Sequence, residues 1–396
     1  MSTDKRRVLM VLESVFPSPS PGGAEGQVLT LARHLGGRGV EVVVVAPRLR
    51  VGPQSVEDAV EGIRVIRIAY PRLRKLGGLV LLLRLAVLLQ VHGRSYAVIH
   101  AHIANTMAAV CCVVGRLIGR TVVVKLTGAL EMNQGILDPR VNDAATRVLR
   151  WALSHATYYH AVSSRIAELL PRCGFDPDRV RHIPNAVDTE RYQPGPRNSD
   201  LRRQLGVDGK RVGVFVGRLT REKALGFFLE GWARVFRSTG VAALLVVGDG
   251  ELLDSLKQGA RALGIGDQVL FLGSSPDVRP YLQAADFAVL PSSSEGLSNA
   301  LLEAMAAGVP VVGSRISGTE DFVVPGENGW LFDSQDPGDL ERCLREVAST
   351  STETLRAMGL RGRQRIEERA AIPAVAERLA ELYGLRLDPI PVRLQP

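Results

Sequence analysis

Short apolar runs rich in β-branched residues alternate with helix-like segments along almost the whole chain, and this alternation limits the folds available to it. Seven such runs in the first half and five in the second predict β-strands, for example Arg7–Leu12, Val122–Leu126, Val212–Val216 and Ala288–Leu290. The runs are nearly continuous in apolar residues, which is typical of parallel strands covered by helices on both faces. The sequence therefore predicts an α/β protein built from doubly wound parallel sheets.

Chain length and one Pro/Gly-rich segment predict two domains. The 396 residues are enough for two separate cores, and residues 192–200, YQPGPRNSD, have the composition of a linker. We expect an N-terminal Rossmann-like domain over 1–193, a C-terminal one over 194–375, and a helix end and tail over 376–396 that packs back on the first domain. The two domains should face each other across a cleft. Ligands bind such sheets at the carboxyl ends of the strands.

Composition and charge exclude several classes of protein. The chain is 46% hydrophobic, and no window of about 18 uncharged apolar residues predicts a spanning helix. The apolar run near the N-terminus is too short for a secretory signal. The net charge is +8, but no basic–aromatic repeat supports nucleic-acid binding. The four cysteines have no metal-ligand spacing, so we expect a protein of the reducing cytoplasm.

The segment 291–308, PSSSEGLSNALLEAMAAG, combines two carboxylates with a predicted helix N-terminus. Glu295 falls in the turn after an apolar strand, and Glu303 lies about one turn into a helix that begins near Ser298. The N–H groups and the positive dipole end of that helix suit a phosphate, while carboxylates suit sugar and ribose hydroxyls. The segment predicts a site for a nucleotide-activated sugar.

Two further loops of the second half carry candidate phosphate-binding groups. Strand Val212–Val216 is followed by GRLTREKAL, in which Arg218 and Lys223 flank a helix start and could hold a leaving diphosphate. On this stretch alone, two surface charges explain the pattern equally well. The next strand is followed by GDGEL, where Gly248 would let the backbone approach a nucleotide, unless the segment is an ordinary turn.

The first half offers two histidines and a glycine pair. VIHAHIA places His100 and His102 on one side of a strand end, where one could contact a sugar or accept a proton; the alternative is a structural role. Gly22 and Gly23 precede a helix but do not form GxGxxG, and no acidic residue ends the next strand, which disfavours a dinucleotide-dependent dehydrogenase. The only Asp-x-Asp, at 176–178, is interpreted as a turn, and no metal site is predicted.

Taken in order, these motifs resemble the retaining glycosyltransferases of the GT-B fold, family 4. The resemblance spans nearly the whole chain, and Glu295 and Glu303 reproduce the family's E-x7-E spacing. The motifs are GGAE at Gly22–Glu25, HAH at His100–His102, IPNAVDTERY at Ile183–Tyr192, GRLTREK at Gly217–Lys223, VVGDGEL at Val246–Leu252, the segment Phe271–Val312, and GENGW at Gly326–Trp330. Each motif is weak alone, but the ordered set is specific.

The resemblance implies roles for the matching residues. Arg218 and Lys223 would clamp the donor diphosphate, Glu303 would hold the ribose hydroxyls, and Glu295 would contact the sugar. The resemblance places His102 near the anomeric carbon. Arg218, Lys223, His102 and Glu295 are therefore the catalytic candidates, and the further donor-binding positions are Gly23, Gly248, Gly273, Gly296, Leu297, Ser298 and Asn299. Thr127-Gly128 replaces a histidine that many relatives have, so any role of that second histidine is absent or displaced.

The activity implied by the resemblance is transfer of a sugar with retention of configuration by a metal-independent hexosyltransferase-type enzyme without a cofactor. The donor would be a UDP- or GDP-sugar. The acceptor hydroxyl would belong to a lipid-linked or polysaccharide intermediate, or to a soluble sugar or aminocyclitol. The alternatives are a nucleotide-sugar epimerase or hydrolase on the same fold and a catalytically silent GT-B partner subunit.

Residues 70–94, YPRLRKLGGLVLLLRLAVLLQVHGR, bear on the acceptor. Arg72, Arg74 and Lys75 precede an apolar segment that only Arg84 interrupts. A basic edge beside an apolar surface would permit peripheral contact with an anionic membrane at its inner face. A helix buried against the sheet is the favoured interpretation of the same pattern.

Overall fold

The computed structural model describes residues 6–14, 16–17, 23–48, 55–71, 73, 76–132 and 135–389. The chain divides into two compact units: unit 1 comprises Met1–Ala186 and Ile372–Pro396, and unit 2 comprises Val187–Ala371. Four residues singled out in the sequence, Gly22, Arg72, Arg74 and Lys75, lie outside the described residues, as does the end of the tail from residue 390.

The observed division falls a few residues before each boundary that the sequence suggested. The Pro/Gly-rich segment 192–200 consequently lies inside unit 2. Within that unit Arg197 Nη2 is 2.6 Å from Asp286 Oδ1, and the Asn198 amide donates to the Gln283 carbonyl over 3.0 Å. The segment is therefore anchored to its own unit.

Unit 1 contains an eight-stranded sheet. Its strands are β1 Arg7–Leu12, β2 Glu41–Pro47, β3 Glu57–Val60, β4 Ile63–Ile68, β5 Val98–His102, β6 Thr121–Leu126, β7 Tyr158–Ala161 and β8 Val180–His182. The order across the sheet is β3-β4-β2-β1-β5-β6-β7-β8, and all pairs are parallel except β3 with β4. The helices are α1 Gly23–Gly36, α2 Leu76–His92, α3 Thr106–Leu117, α4 Ala129–Met132, α5 Ala144–Leu153 and α6 Ser164–Arg172.

Unit 2 contains a six-stranded sheet whose pairs are all parallel. In chain order its elements are α7 Ser199–Gln204, β9 Arg211–Val216, α8 Leu225–Phe236, β10 Ala242–Val247, α9 Leu253–Ala262, β11 Val269–Gly273, α10 Arg279–Ala284, β12 Phe287–Leu290, α11 Asn299–Ala306, β13 Val311–Ser314, α12 Thr319–Phe322, β14 Gly329–Phe332, α13 Pro337–Ser349 and α14 Thr352–Arg369. The strand order is β11-β10-β9-β12-β13-β14. The predicted doubly wound α/β class is confirmed.

The last helix of the chain, α15 Ile372–Tyr383, returns to unit 1 and packs against α1. Its residues Val375, Ala376 and Leu379 are buried in the core formed by β1, β2 and α1. On the other face of the sheet, α3 lies so close that a Cβ on Gly115 would meet Val122 Cγ2 at 2.3 Å. Helices therefore cover both faces of the unit 1 sheet.

Helix α2 departs from the sequence expectation of a buried helix. Leu76–Ser95, which includes the 3-10 turn after α2, is long and apolar enough to cross a membrane by length and composition alone. It is the one such helix in the described part of the chain, and only 22% of its most apolar window is buried. The helix packs on one side and exposes apolar residues on the other.

Candidate active site

The candidate donor site lies where the strand order of unit 2 reverses. Strands β9 and β12 are neighbours in the sheet, but the chain runs from β9 toward one edge and from β12 toward the other. Such a switch point leaves a crevice at the carboxyl ends of the two strands. The loops that follow them meet there, because the Ser293 amide donates to the Glu222 carbonyl over 2.8 Å.

Lys223 and Glu295 form an ion pair across these two loops. Lys223 Nζ is 2.8 Å from Glu295 Oε1, and both side chains are mostly buried, with 17% and 14% exposed. Ser292 Oγ donates to the same carboxylate oxygen. An ammonium group has three donors, so the pair orients Lys223 and leaves two N–H bonds for phosphate oxygens. Both contacts are made by Glu295 Oε1 and neither by Oε2.

Arg218, the other predicted diphosphate clamp, lies apart from this pair. Its side chain is 72% exposed, and its Nη2 is 3.4 Å from Glu222 Oε1 on the same loop. An exposed ion pair of this length contributes little to stability. The Arg218 guanidinium is therefore a cation that can move to a ligand at low cost.

The N-terminus of α11 follows the Glu295 loop directly. The helix begins at Asn299, and its N-cap residue Ser298 has an extended backbone and makes no side-chain capping bond. Gly296 and Leu297 precede it in a buried stretch. The Ser298 hydroxyl thus does not compete with an anion for the first N–H groups of this eight-residue helix.

Two residues that the sequence analysis does not single out, Ser317 and Gly318, contact the backbone of the Glu295 loop. Ser317 Oγ donates to the Gly296 carbonyl over 3.3 Å. Gly318 has a φ of 78°, and a Cβ there would lie 2.2 Å from the Gly296 oxygen. Only glycine fits, because both the backbone conformation and the space exclude a side chain. The sequence SGTE at 317–320 suggests a turn at Gly318, but it does not indicate that this turn contacts Gly296.

Glu303 lies on α11 and pairs with Tyr192. The Tyr192 hydroxyl donates to the Glu303 carboxylate. Burial raises the pKa of Glu303 to about 7, although the bond from Tyr192 and the charge of Arg191 act in the opposite direction. At neutral pH the group therefore exists in both protonation states. Tyr192 belongs to a motif noted in the sequence, but no role had been assigned to it.

Three glycines bring the ends of β9, β10 and β11 together. The Gly248 amide donates to the Gly273 carbonyl over 2.7 Å, and the Gly217 amide donates to the Val247 carbonyl over 3.0 Å. A Cβ on Gly248 would lie 1.8 Å from the Gly217 oxygen, so no larger residue fits. The predicted donor-binding positions Gly248 and Gly273 are thus neighbours at the carboxyl edge of the sheet.

In unit 1, His102 lies at the corresponding switch point. It ends β5 opposite Leu12 of β1, and Gly23, with a φ of 71°, opens the helix that follows β1. His102 is 1% exposed, and neither ring nitrogen has a partner among the described residues. Burial, with His100 and Lys125 nearby, holds its pKa well below the usual value, so the imidazole is neutral. A contact with a ligand requires a rearrangement of its surroundings.

His100 and Lys125 complete a buried polar cluster beside His102. His100 Nδ1 is 2.6 Å from the Tyr383 hydroxyl of α15. This contact links β5 to α15, which agrees with a structural role for His100. Lys125 pairs in register with His102 on one side and His160 on the other. It is also 1% exposed, its Nζ has no partner in the described part of the chain, and burial lowers its pKa to about 7. From sequence, Lys125 is only one position of the apolar strand predicted over Val122–Leu126.

Glu131 holds the loops that follow β5 and β6. Its buried carboxylate accepts hydrogen bonds from the amides of Ala104 at 3.3 Å, Thr127 at 3.2 Å and Gly128 at 2.9 Å. Ile103, directly after His102, has a φ of 75°, which is strained for a β-branched residue. Glu131 therefore positions the backbone next to His102. It was not predicted.

The described residues contain no group of three or more His, Cys, Asp or Glu side chains that could hold a metal ion. The Asp-x-Asp at 176–178 forms a turn, in which Asp176 Oδ1 accepts the Asp178 amide over 3.0 Å. This agrees with the interpretation of that motif from sequence.

Two Rossmann-like units, each with its candidate residues at a switch point, define the GT-B class of fold. Two family profiles match the chain: Glycosyltransferase Family 4 over residues 21–191, and Glycosyl transferases group 1 over residues 210–350. The HepE protein of Anabaena, solved with UDP, shares the fold with a TM-score of 0.77 at 22% identity, over 96% of this chain and 99% of that one.

Curated relatives extend the match. The chain is 32% identical over 331 residues to the 2-deoxystreptamine N-acetyl-D-glucosaminyltransferase of Streptomyces fradiae, covering 76% of each chain. It is 30% identical over 213 residues to an Escherichia coli UDP-Gal:alpha-D-GlcNAc-diphosphoundecaprenol alpha-1,3-galactosyltransferase, covering 52% of this chain and 54% of that one. The chain belongs to the family 4, or group 1, glycosyltransferases, and the predicted resemblance is confirmed.

Proposed function

We propose that this glycosyltransferase takes its sugar from a nucleoside-diphosphate sugar and transfers it to an acceptor hydroxyl with retention of configuration. The observation that carries the proposal is the Lys223–Glu295 ion pair at the switch point of unit 2, next to the N-terminus of α11. A cation and helix N–H groups suit a diphosphate, and carboxylates suit sugar and ribose hydroxyls. The UDP bound by HepE and the UDP-sugar named for the E. coli relative support this donor class.

In the proposed mechanism the main catalytic task is stabilisation of the departing diphosphate. Lys223 and the exposed Arg218 would neutralise the charge that develops on the leaving oxygen, together with the α11 dipole. That oxygen would take the proton of the acceptor hydroxyl on the same face of the sugar. Glu295 would hold the sugar, and Glu303 with Tyr192 would hold the ribose. No step requires a metal ion.

Two classes of acceptor are compatible with this proposal, a soluble aminocyclitol or sugar and a lipid-linked sugar. The Streptomyces relative is named for a soluble aminocyclitol, whereas the E. coli relative is named for a diphosphoundecaprenol-linked acceptor. Both are hydroxyl acceptors. Because the two names disagree in acceptor, homology supports the class of reaction without selecting between a soluble and a lipid-linked substrate.

A donor screen followed by product analysis tests the proposal. UDP- and GDP-sugars are tested for thermal stabilisation of the protein, and those that stabilise it are incubated with 2-deoxystreptamine or with a polyprenyl-diphosphate sugar. We expect acceptor-dependent release of nucleotide, unaffected by EDTA, and a product whose anomeric configuration by NMR is that of the donor. Nucleotide release without any acceptor would indicate a hydrolase, and conversion of the donor into an epimeric nucleotide sugar would indicate an epimerase. An inverted product would refute retention.

A further inference from the structure

Helix α2 is apolar on all sides, but the protein covers only one of them. Its buried face consists of Gly77, Leu81, Leu85 and Leu89. The opposite face exposes Leu76, Leu79, Leu83, Val87 and Val91, each between 56% and 64%. Their spacing of three or four residues places these five side chains in a single stripe along the helix, which we call the α2 stripe. A helix of this composition is normally buried on every side.

Two neighbouring helices extend this apolar surface. Helix α2 packs against α3, and α3 packs against α5, in one layer on the unit 1 sheet. Leu117 at the end of α3, and Val148 and Trp151 of α5, are also strongly exposed. Exposed apolar side chains on three neighbouring helices are typical of a surface that contacts another phase or molecule. Tryptophan is enriched where proteins meet the membrane–water interface.

The stretch of sequence that contains α2 and α3 carries positive but no negative side chains. Between Glu61 and Glu131 the sequence contains no Asp or Glu over 69 residues. The same stretch carries ten cationic residues, namely Arg64, Arg67, Arg72, Arg74, Lys75, Arg84, Arg94, Arg116, Arg120 and Lys125. Arg67 and Lys125 are buried and Arg64 pairs with Glu57, so the exposed cations beside the α2 stripe are Arg84, Arg94 and Arg116 in the described part of the chain.

We propose that the α2 stripe lies flat in the surface of an anionic lipid bilayer and binds the enzyme to it reversibly. The apolar side chains would enter the boundary between headgroups and acyl chains, while the surrounding arginines would contact acidic headgroups. A water-exposed stripe of this length carries a cost that insertion into lipid removes. An anionic membrane surface supplies both acyl chains for the apolar stripe and acidic headgroups for the arginines beside it.

Two other arrangements of α2 fit the observations less well. As a spanning helix, α2 would have to leave the contacts of Leu81, Leu85 and Leu89 within unit 1 and would carry Arg84 near its middle. In a dimer formed through the stripe, Arg84, Arg94 and Arg116 of two copies would approach each other without any acidic residue from this stretch to compensate. An anionic bilayer avoids both problems.

Vesicle co-sedimentation of the full chain tests the proposal without requiring activity, so its result is independent of the donor chemistry. The vesicles are pure phosphatidylcholine, or phosphatidylcholine mixed with phosphatidylglycerol. The stripe variant is Leu83→Glu/Val87→Glu. The matched control is Val241→Glu/Leu360→Glu, which places the same charges at residues of unit 2 that are equally exposed, 56% each. Circular dichroism and thermal unfolding verify that both variants fold.

We expect the wild type to sediment with the acidic vesicles and to dissociate from them as salt is raised. Loss of two inserted side chains should weaken binding by the stripe variant by more than about tenfold, while the control binds like the wild type. Absence of wild-type binding, or equal binding of the stripe variant, would overturn the proposal. So would a concentration-dependent wild-type dimer in analytical ultracentrifugation that the stripe variant abolishes, because the stripe would then be a protein interface.

Discussion

At the scale of single residues, the proposed ribose contact of Glu303 should make donor binding depend on pH. Its carboxylate would accept the ribose hydroxyls, so only the ionised form binds well. Since burial raises the pKa of Glu303 to about 7, the affinity for a nucleotide sugar should increase as pH rises through 7 and level off above it. Both phosphates of a nucleotide sugar are diesters and do not titrate in this range. Titration calorimetry from pH 6 to 8 measures the effect.

Two variants make that prediction specific. Glu303→Gln should bind the donor about tenfold more weakly or worse, with no dependence on pH in this range. Tyr192→Phe removes a hydrogen bond that holds the pKa of Glu303 down, so the rise in affinity should move to higher pH. An unchanged pH profile in both variants would show that Glu303 does not contact the donor.

Lys125 should make unit 1 more stable at alkaline pH. In the unfolded chain Lys125 keeps its proton until about pH 10.5, whereas in the folded chain burial lowers its pKa to about 7. Between these values the unfolded state binds more protons, so the free energy of unfolding rises with pH.

Replacement of Lys125 tests this account of the buried cluster. Lys125→Met should remove the alkaline increase and should stabilise the protein at pH 6 by roughly 1–4 kcal/mol, because no unpaired charge is then buried. Urea unfolding midpoints at pH 6 and pH 9 measure both effects, with Lys210→Met as the control. Equal slopes for Lys125→Met and the wild type would mean that Lys125 is not the titrating group.

At the scale of elements, Glu131 joins the ends of two strands. Its carboxylate accepts the amides of Ala104, Thr127 and Gly128, which belong to the loops after β5 and β6. Glu131→Ala would leave these amides without an internal acceptor, at a cost of about 1–3 kcal/mol. Hydrogen exchange at residues 103–105 and 127–128 should accelerate, and kcat should fall with little change in donor KM. Unchanged exchange there would exclude the positioning role.

The strands themselves were largely readable from the sequence, because buried parallel strands are continuous apolar runs. All twelve predicted strands are present, with ends shifted by at most two residues. Two were missed. β3, Glu57–Val60, is an exposed antiparallel edge strand without an apolar run, and β14, Gly329–Phe332, has only four residues. Apolar runs in the sequence therefore do not identify a strand that is very short or that lies at the exposed edge of a sheet.

The contacts within the candidate sites were not readable in the same way. The Lys223–Glu295 pair and the Tyr192–Glu303 bond join residues far apart in the chain, and the strand order brings the loops of the first pair together. Motif spacing identified three of these four residues as candidates. It did not indicate that Lys223 and Glu295 would hold each other, nor that Tyr192 would adjust the pKa of Glu303.

At the scale of the whole molecule, the chain distributes its tasks over two units of similar design. Unit 2 carries the candidate diphosphate, ribose and sugar contacts at the switch point between β9 and β12. Unit 1 carries the buried histidine–lysine cluster, the Glu131 clamp and the α2 stripe. The group 1 glycosyltransferase family model matches residues 210–350 of unit 2. If unit 1 binds the acceptor, as we propose, substrate choice should be sought among these unit 1 features.

The most direct test of the account is the binding of UDP and GDP to wild type, Lys223→Ala and Lys210→Ala at one pH. Lys223 lies in the loop at the carboxyl end of β9, whereas Lys210 precedes the amino end of the same strand. We expect calorimetry to find one of the two nucleotides bound by the wild type, with an affinity at least about tenfold lower for Lys223→Ala and unchanged for Lys210→Ala. Binding of that nucleotide by Lys223→Ala with wild-type affinity would contradict a donor site at this switch point.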